Sequence, residues 1–276
     1  MTETFDRERA FAEAVAREAG ALLLDASGKV AAREKGPSDL VTDADIASQR
    51  LIARRIAEAY PGHAILAEEE GLVADPAVAS RWVVDPLDGT INFAHGFPFW
   101  SVSIALEVRG RIVVGVVHDP VAGTTFSAAR GGGAHRDGDA LRVSRVDSLR
   151  TSLIGAGLPT QFARDADRQS ALFRSLSSDT HSVRRTGSTA LNLAFLAAGG
   201  FDLYYTTSVH PWDFAAGVLL VEEAGGRVTA IDGSPYRLDR PTLLASNSLV
   251  HDEALRRLAL AWQGLSSAAE PEPPAG

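Results

Sequence analysis

Phe11, Val15, Ala19 and Leu22 recur at helical spacing among charged residues, so residues 5–25 are expected to form an amphipathic helix that stops at Gly28. Ile52, Ile56 and Ala59 repeat the pattern in a second helix, led in by Asp39–Asp45 and closed by Tyr60-Pro61-Gly62. Between the two, Lys35-Gly36-Pro37-Ser38-Asp39 is polar and turn-rich and reads as a mobile loop. Ala64–Ala67 is a short apolar run that reads as a buried strand. Trp82-Val83-Val84 reads as another, ending at Asp85-Pro86, where proline removes an amide donor. Apolar residues then alternate at Trp100, Val102, Ile104, Leu106 and Val108, turn at Arg109-Gly110 and return through Ile112–Val117, which predicts an antiparallel pair. Phe126–Ala129 and Leu141–Ser144 are expected to continue that sheet.

Beyond residue 150 strands and helices alternate. Strands are expected at 152–155, 181–184, 203–205, 227–231 and 243–246. Helices are expected at 165–176, from Gly187-Ser188-Thr189 to Gly199, from Pro211 onward, and at the end of the chain to about Gly264. The expected architecture is α/β and layered. An N-terminal half, 1–148, places two helices on a mainly antiparallel sheet; a C-terminal α/β half, 149–265, follows; and a polar, proline-rich tail, 266–276, is too poor in apolar residues to pack.

At 276 residues and 45% hydrophobic content the chain can bury a large core. Its net charge of -8 argues against a nucleic-acid partner held by general electrostatics, and no apolar run approaches membrane-spanning length. The N-terminal residues lack the apolar stretch of a signal peptide, so a cytoplasmic location is expected. With no cysteine, a metal would have to use oxygen or imidazole ligands, which favours magnesium or manganese.

Candidate chemistry centres on the acids. Asp85 and Asp88 flank a Pro-Leu turn and can face one space, while Gly89-Thr90 offers backbone able to approach an anion; an ordinary acidic turn is the plainer alternative. Glu68-Glu69-Glu70 follows a buried strand, as a surface patch or as a source of one metal ligand. Asp43 and Asp45 suit helix caps, and Asp213 in a helix's first turn would be favoured by the dipole with no metal present. The amides at Gly187-Ser188-Thr189 favour anionic or hydroxyl-rich ligands, although Ser188 or Thr189 also suits a simple cap. Gly131-Gly132-Gly133 lacks a following Lys-Ser or Lys-Thr and is not expected to cradle a nucleotide. His118 and His135 lie in or beside turns and are not expected to ligate metal.

Asp85-Pro-Leu-Asp-Gly-Thr-Ile-Asn-Phe93 resembles the first signature of the inositol monophosphatase family of magnesium-dependent, lithium-sensitive phosphatases. Trp212-Asp-Phe-Ala-Ala-Gly217, continued by Glu223-Ala-Gly-Gly226, resembles the second. The resemblance runs from about Lys35 to Asn247. It implies a cleft between the halves in which Glu68, Asp85, Asp88, Asp213 and the Leu87 carbonyl hold two or three Mg2+ ions, with Mn2+ as an alternative. It further implies that Asp45 pairs with Thr90 to align water, with Glu68 as the other catalytic acid. Asp88, Gly89, Thr90, Gly187, Ser188, Thr189, Thr206 and Lys35 would contact a small-molecule phosphate ester of the inositol 1-phosphate type, and the chain would be a homodimer.

The sequence departs from the family in places. Ala67 replaces a glycine, the loops around Lys35 and Gly71–Ser80 are short, and Thr206 stands where animal members carry a glutamate that meets an inositol hydroxyl. The last change is expected to loosen substrate choice. Rival activities are fructose-1,6-bisphosphatase, nucleotide 3'-phosphatase and histidinol-phosphate phosphatase; the non-enzymatic rival is a binder of phosphorylated ligands or an interaction protein.

Overall fold

A computed structural model describes residues 4–29, 32–36, 39–69, 71–73, 78–159 and 165–268, without the side chains of residue 32, of 35, 36 and 39, of 71–73 and of 262–268. Helices α1 (Asp6–Ala26) and α2 (Asp43–Ala59) form close to where the apolar spacing predicts them. The expected loop before α2 is instead a two-stranded antiparallel hairpin, β1 (Ala32–Gly36) with β2 (Asp39–Thr42). Its alternation is too short and too polar to register as strand.

An eight-stranded sheet follows, with one short helix, α3 (Thr90–Ala94), after its third strand in chain order. Its strands are β3 (Ala64–Ala67), β4 (Gly71–Val73), β5 (Ser80–Asp88), β6 (Ser101–Val108), β7 (Arg111–Asp119), β8 (Thr124–Ala129), β9 (Gly133–Arg136) and β10 (Asp139–Ala140). They lie in the order β10-β9-β8-β7-β6-β5-β3-β4, antiparallel except for the β3–β5 pair. Strand β4 falls where a loop is expected. The expected strand at Leu141–Ser144 does not join the ladder: after the β9–β10 hairpin the chain leaves the sheet, and Val143 N donates to Ala224 O at 3.2 Å.

A second sheet of five strands, β11 (Leu153–Gly157), β12 (Ser182–Arg184), β13 (Leu203–Thr206), β14 (Arg227–Thr229) and β15 (Leu243–Ser246), has the order β12-β11-β13-β15-β14. Helices α5 (Thr189–Ala197) and α6 (Pro211–Glu223) are almost wholly buried between the two sheets, which is why they are apolar all round. The α1–α2 pair covers the outer face of the large sheet. Helices α4 (Ala166–Ser177) and α7 (His251–Ala268) cover the outer face of the small one. The result is five layers, helix, sheet, helix, sheet, helix, as the α/β expectation requires. Helix α7 runs past the expected stop at Gly264 to Ala268, so the expected tail begins inside it, and residues 269–276 lie outside the described part.

Packing explains the glycines on the inner layer. A Cβ on Gly115 of β7 would lie 2.5 Å from the carbonyl oxygen of Ala216, so α6 sits directly on the strand backbone. The glycine triplet has a different use: Gly131 N and Gly133 N donate to the two carboxylate oxygens of Glu223 at 2.9 and 3.0 Å, tying the β8–β9 turn to the end of α6.

Replacing Gly115 by Val should push α6 off the sheet. A stability loss of about 1–3 kcal/mol is expected from overpacking, read as a lower urea midpoint at unchanged slope; an unmoved midpoint would show that the layer tolerates displacement.

Candidate active site

Strand β5 does not end at Asp85-Pro86. It continues through a bulge: Asp85 pairs with Ser103 and Asp88 with Ser101, so three steps on β5 oppose two on β6. The missing proline amide is what the ladder skips. Ser101 and Ser103, two apart, share one face of β6, and their partners Asp85 and Asp88 therefore share it too, where an unbroken strand would send residues three apart to opposite faces. That face looks toward the starts of two helices. Ser103 Oγ donates to Trp212 O at 3.3 Å beside α6, and Ser101 Oγ donates to Asp88 at 3.3 Å.

Asp88 spans the two halves. Its Oδ2 accepts from Ser188 Oγ and from Ala190 N at 2.9 Å, and its Oδ1 accepts from Thr189 N at 3.2 Å, so it closes the first turn of α5. Ser188 is the N-cap of that helix and accepts from Leu191 N at 3.2 Å. Asp213 stands in the first turn of α6 and accepts from His210 N at 2.8 Å. Asp85 accepts from Leu87 N at 3.0 Å within the bulge.

None of these three carboxylates has a salt-bridge partner among the described residues, and each is raised above the usual carboxylate range. Burial is the first cause for Asp85, followed by the charges of Glu68, Asp88 and Asp213. Burial also leads for Asp213, opposed by the His210 amide and reinforced by Asp88 and Glu68. Asp88 is pushed up to about 6 by burial, against the lowering effect of the hydrogen bonds from Ser188, Ala190, Thr189 and Ser101. The Glu68 charge is thus felt at both Asp85 and Asp213.

Thr90 and Asp45 meet as expected. Thr90 Oγ1 donates to Asp45 Oδ1 at 3.0 Å and lies 3.1 Å from Leu87 O. Asp45 is held from the other side by α2: Thr42 N donates to its Oδ2 at 2.8 Å, and Thr42 caps the helix. One carboxylate oxygen fixes the helix start and the other orients the threonine.

The pattern did not reveal four supporting contacts, each too ordinary in composition to stand out. Ser48 Oγ donates to Pro86 O at 2.9 Å and steadies the bulge, and Gln49 accepts from Glu69 N at 2.8 Å next to Glu68. Asn92 Nδ2 donates to Phe99 O at 2.7 Å and Thr186 O at 2.8 Å, tying the first signature to the segment before α5. Ser101 is the fourth. His118 is on the α1 side of the sheet, its Nδ1 3.1 Å from Thr124 O and Thr125 Oγ1, and has a structural role. The Lys35 side chain lies outside the described residues.

A cavity of about 500 Å3 opens beside these groups, lined by Gly89, Thr90, Gly187, Ser188, Thr189 and Thr206 among others. Tyr204 forms part of its wall, with Oη 2.9 Å from Thr189 Oγ1. Among the described residues no three His, Cys, Asp or Glu side chains stand as one group able to hold an ion as they lie; Asp88 and Asp213 have their oxygens on helix amides. The donor chemistry nonetheless fits a hard cation. Buried carboxylates with no cation beside them among the described residues, raising one another's proton affinity, are what such an ion neutralises.

A folded-state pKa above the unfolded value means that the native protein binds more protons than the unfolded chain, so metal-free stability falls as pH rises. For Asp88 the fall spans the interval from 3.8 to about 6, and Asp85 shifts in the same direction. In chelator, Asp85→Asn is therefore expected to gain stability relative to wild type as pH is raised from about 4 to about 7, measured by urea unfolding at each pH. A difference that stays flat or reverses would contradict the like-charge cluster.

Residues 6–263 match the family model described as the inositol monophosphatase family. The Inositol-1-monophosphatase of Mesorhizobium japonicum is 40% identical over 222 residues, covering 80% of this chain and 84% of that protein. The Nus factor SuhB of Pseudomonas aeruginosa is 40% identical over 240 residues, covering 84% and 89% respectively. The solved inositol monophosphatase of Anabaena superposes with a TM-score of 0.85 at 38% identity, covering 93% of this chain and 96% of that one. With the signatures, the layered fold and the match over nearly its whole length in agreement, the chain belongs to the inositol monophosphatase family and so to its phosphatases.

Proposed function

We propose that the chain is a magnesium-dependent phosphomonoesterase for small polyol and sugar phosphates of the inositol 1-phosphate type. The observation that carries this is the Thr90–Asp45 hydrogen bond standing beside buried carboxylates that have no counter-ion among the described residues. Glu68, Asp85, Asp88, Asp213 and the Leu87 carbonyl would hold the ions, two or three Mg2+ or alternatively Mn2+. When bound, they supply charge neutralisation for the ester phosphate and a lowered pKa for water.

The chain's own residues do the positioning. Asp45 takes the Thr90 hydroxyl proton into a hydrogen bond, which leaves that oxygen's lone pairs to accept from a water and aim it. Glu68 is the second group placed to take the water's proton. The amides of Gly89 and Thr90 hold phosphate oxygens, and Gly187, Ser188, Thr189 and Thr206 face the alcohol. Water oxygen bonds to phosphorus as the ester P–O bond breaks, and the proton lost by the water ends on the leaving alcohol. No covalent phosphoenzyme is required.

Thr206 is buried, neutral, and 3.4 Å from Ser208 O, so it offers the alcohol a weaker acceptor than a carboxylate would. Other finer features of the proposal are lithium sensitivity, a homodimer and a cytoplasmic location; among the described residues no helix is long and apolar enough to cross a membrane. A relative named as a Nus factor keeps an interaction role in view, but such a role does not call for a threonine paired with Asp45.

Phosphate release from inositol 1-phosphate should require added magnesium and stop on chelation. Thr90→Ala should lower kcat by about 100-fold or more, the scale of lost acid–base positioning, with KM changed far less. Full turnover in chelator, or wild-type kcat in Thr90→Ala, would overturn the proposal.

A further inference from the structure

The cavity beside the carboxylates has one charged side chain in its lining among the described residues, and it is a cation. Arg185, just after β12 and before the Thr186-Gly187 segment, lines it together with Asn92, Thr186, Asn192, Tyr204 and Ser208. Asn92 and Asn192 are already committed: the first donates to Phe99 O and Thr186 O, and the second accepts from Thr186 Oγ1 at 2.8 Å. Tyr204 is engaged with Thr189.

Arg185 is exposed and makes neither an ion pair nor a hydrogen bond with any described residue. Arg81, Arg130, Arg227 and Arg237, by contrast, each hold a carboxylate, in a chain of 27 basic and 35 acidic residues; what marks Arg185 is its place in the cavity lining. Its neighbour Arg184 is satisfied locally by Ser182 and the Val183 carbonyl. The wall facing the alcohol thus combines hydroxyls, a neutral threonine at 206 and a free guanidinium, and it contains no carboxylate among the described residues.

We propose that Arg185 forms a second anion subsite, and that the preferred substrates carry a further phosphate or a carboxylate on the alcohol being released. The assignment rests on the phosphatase reading for the position of the ester phosphate. A planar guanidinium presents paired donors that match either anion, and it offers little to an uncharged polyol. Because the protein as a whole is acidic, a local cation at the cavity also offsets the repulsion that a doubly charged substrate meets on approach.

The test compares kcat/KM for fructose 1,6-bisphosphate and for 3-phosphoglycerate, each divided by kcat/KM for glycerol 2-phosphate, in wild type, R185Q and R185K. Wild type should prefer at least one of the two anionic esters. R185Q should lower that ratio about tenfold or more, chiefly through KM, and R185K should fall between the two, since it keeps the charge and loses the fork. A response confined to the bisphosphate assigns the subsite to phosphate, and one confined to 3-phosphoglycerate assigns it to carboxylate. Ratios within twofold of wild type in R185Q would overturn the subsite while leaving the phosphatase reading intact. So would unchanged ratios accompanied by a loss of dimer in sedimentation, which would place Arg185 between copies. If no ester is hydrolysed, fructose 1,6-bisphosphate is titrated calorimetrically against wild type and R185Q. Tighter binding by wild type then keeps the subsite as the phosphatase reading falls; equal binding removes both.

Discussion

Asp88 is the point on which the two halves of the molecule depend. It belongs to the large sheet by its backbone and to the small sheet's side by its carboxylate, which closes the first turn of α5 through Ser188, Thr189 and Ala190. A buried carboxylate is costly unless hydrogen-bonded or paired, and here helix amides supply the bonds while no cation among the described residues supplies the pairing. The same residue is therefore a structural rivet and an anion left partly uncompensated. Asp213 repeats the device on α6, with a single amide from His210.

The bulge at Pro86-Leu87 makes this possible. Without the extra residue Asp85 and Asp88 would leave the strand on opposite faces, one toward α1 and α2 and one toward α5 and α6. With it, both look inward, and Ser48 on α2 holds the Pro86 carbonyl from the outer layer. Proline thus acts as a register device. Close packing of α6 on Gly115 then carries Asp213 to the same inner layer.

Much of this was legible in the chain. Helical spacing places α1 and α2, alternation places β6 and β7, the two signatures single out Asp85, Asp88, Thr90 and Asp213 as candidates, and the wider resemblance adds Asp45. What the pattern missed has physical causes. The β1–β2 hairpin is short and polar, and Leu141–Ser144 has strand-like residues but leaves the sheet to reach Ala224. The end of β5 is not legible from pattern because a proline that breaks a ladder looks the same in sequence as one that bulges it. Asn92, Ser101 and Gln49 act through long-range contacts that no local spacing encodes, and the use of Gly131 and Gly133 depends on Glu223, about ninety residues away.

The central claim is that Asp85, Asp88 and Asp213 are kept as mutually repelling acids awaiting a cation. Proton release on metal addition measures this directly. At pH 6, near the value of about 6 at Asp88, part of the cluster is protonated in the absence of metal. Adding Mg2+ or Mn2+ to weakly buffered protein with a pH indicator should then release protons in step with binding, and the release should shrink at pH 8 and in Asp88→Asn. Metal binding at pH 6 without proton release would contradict the account.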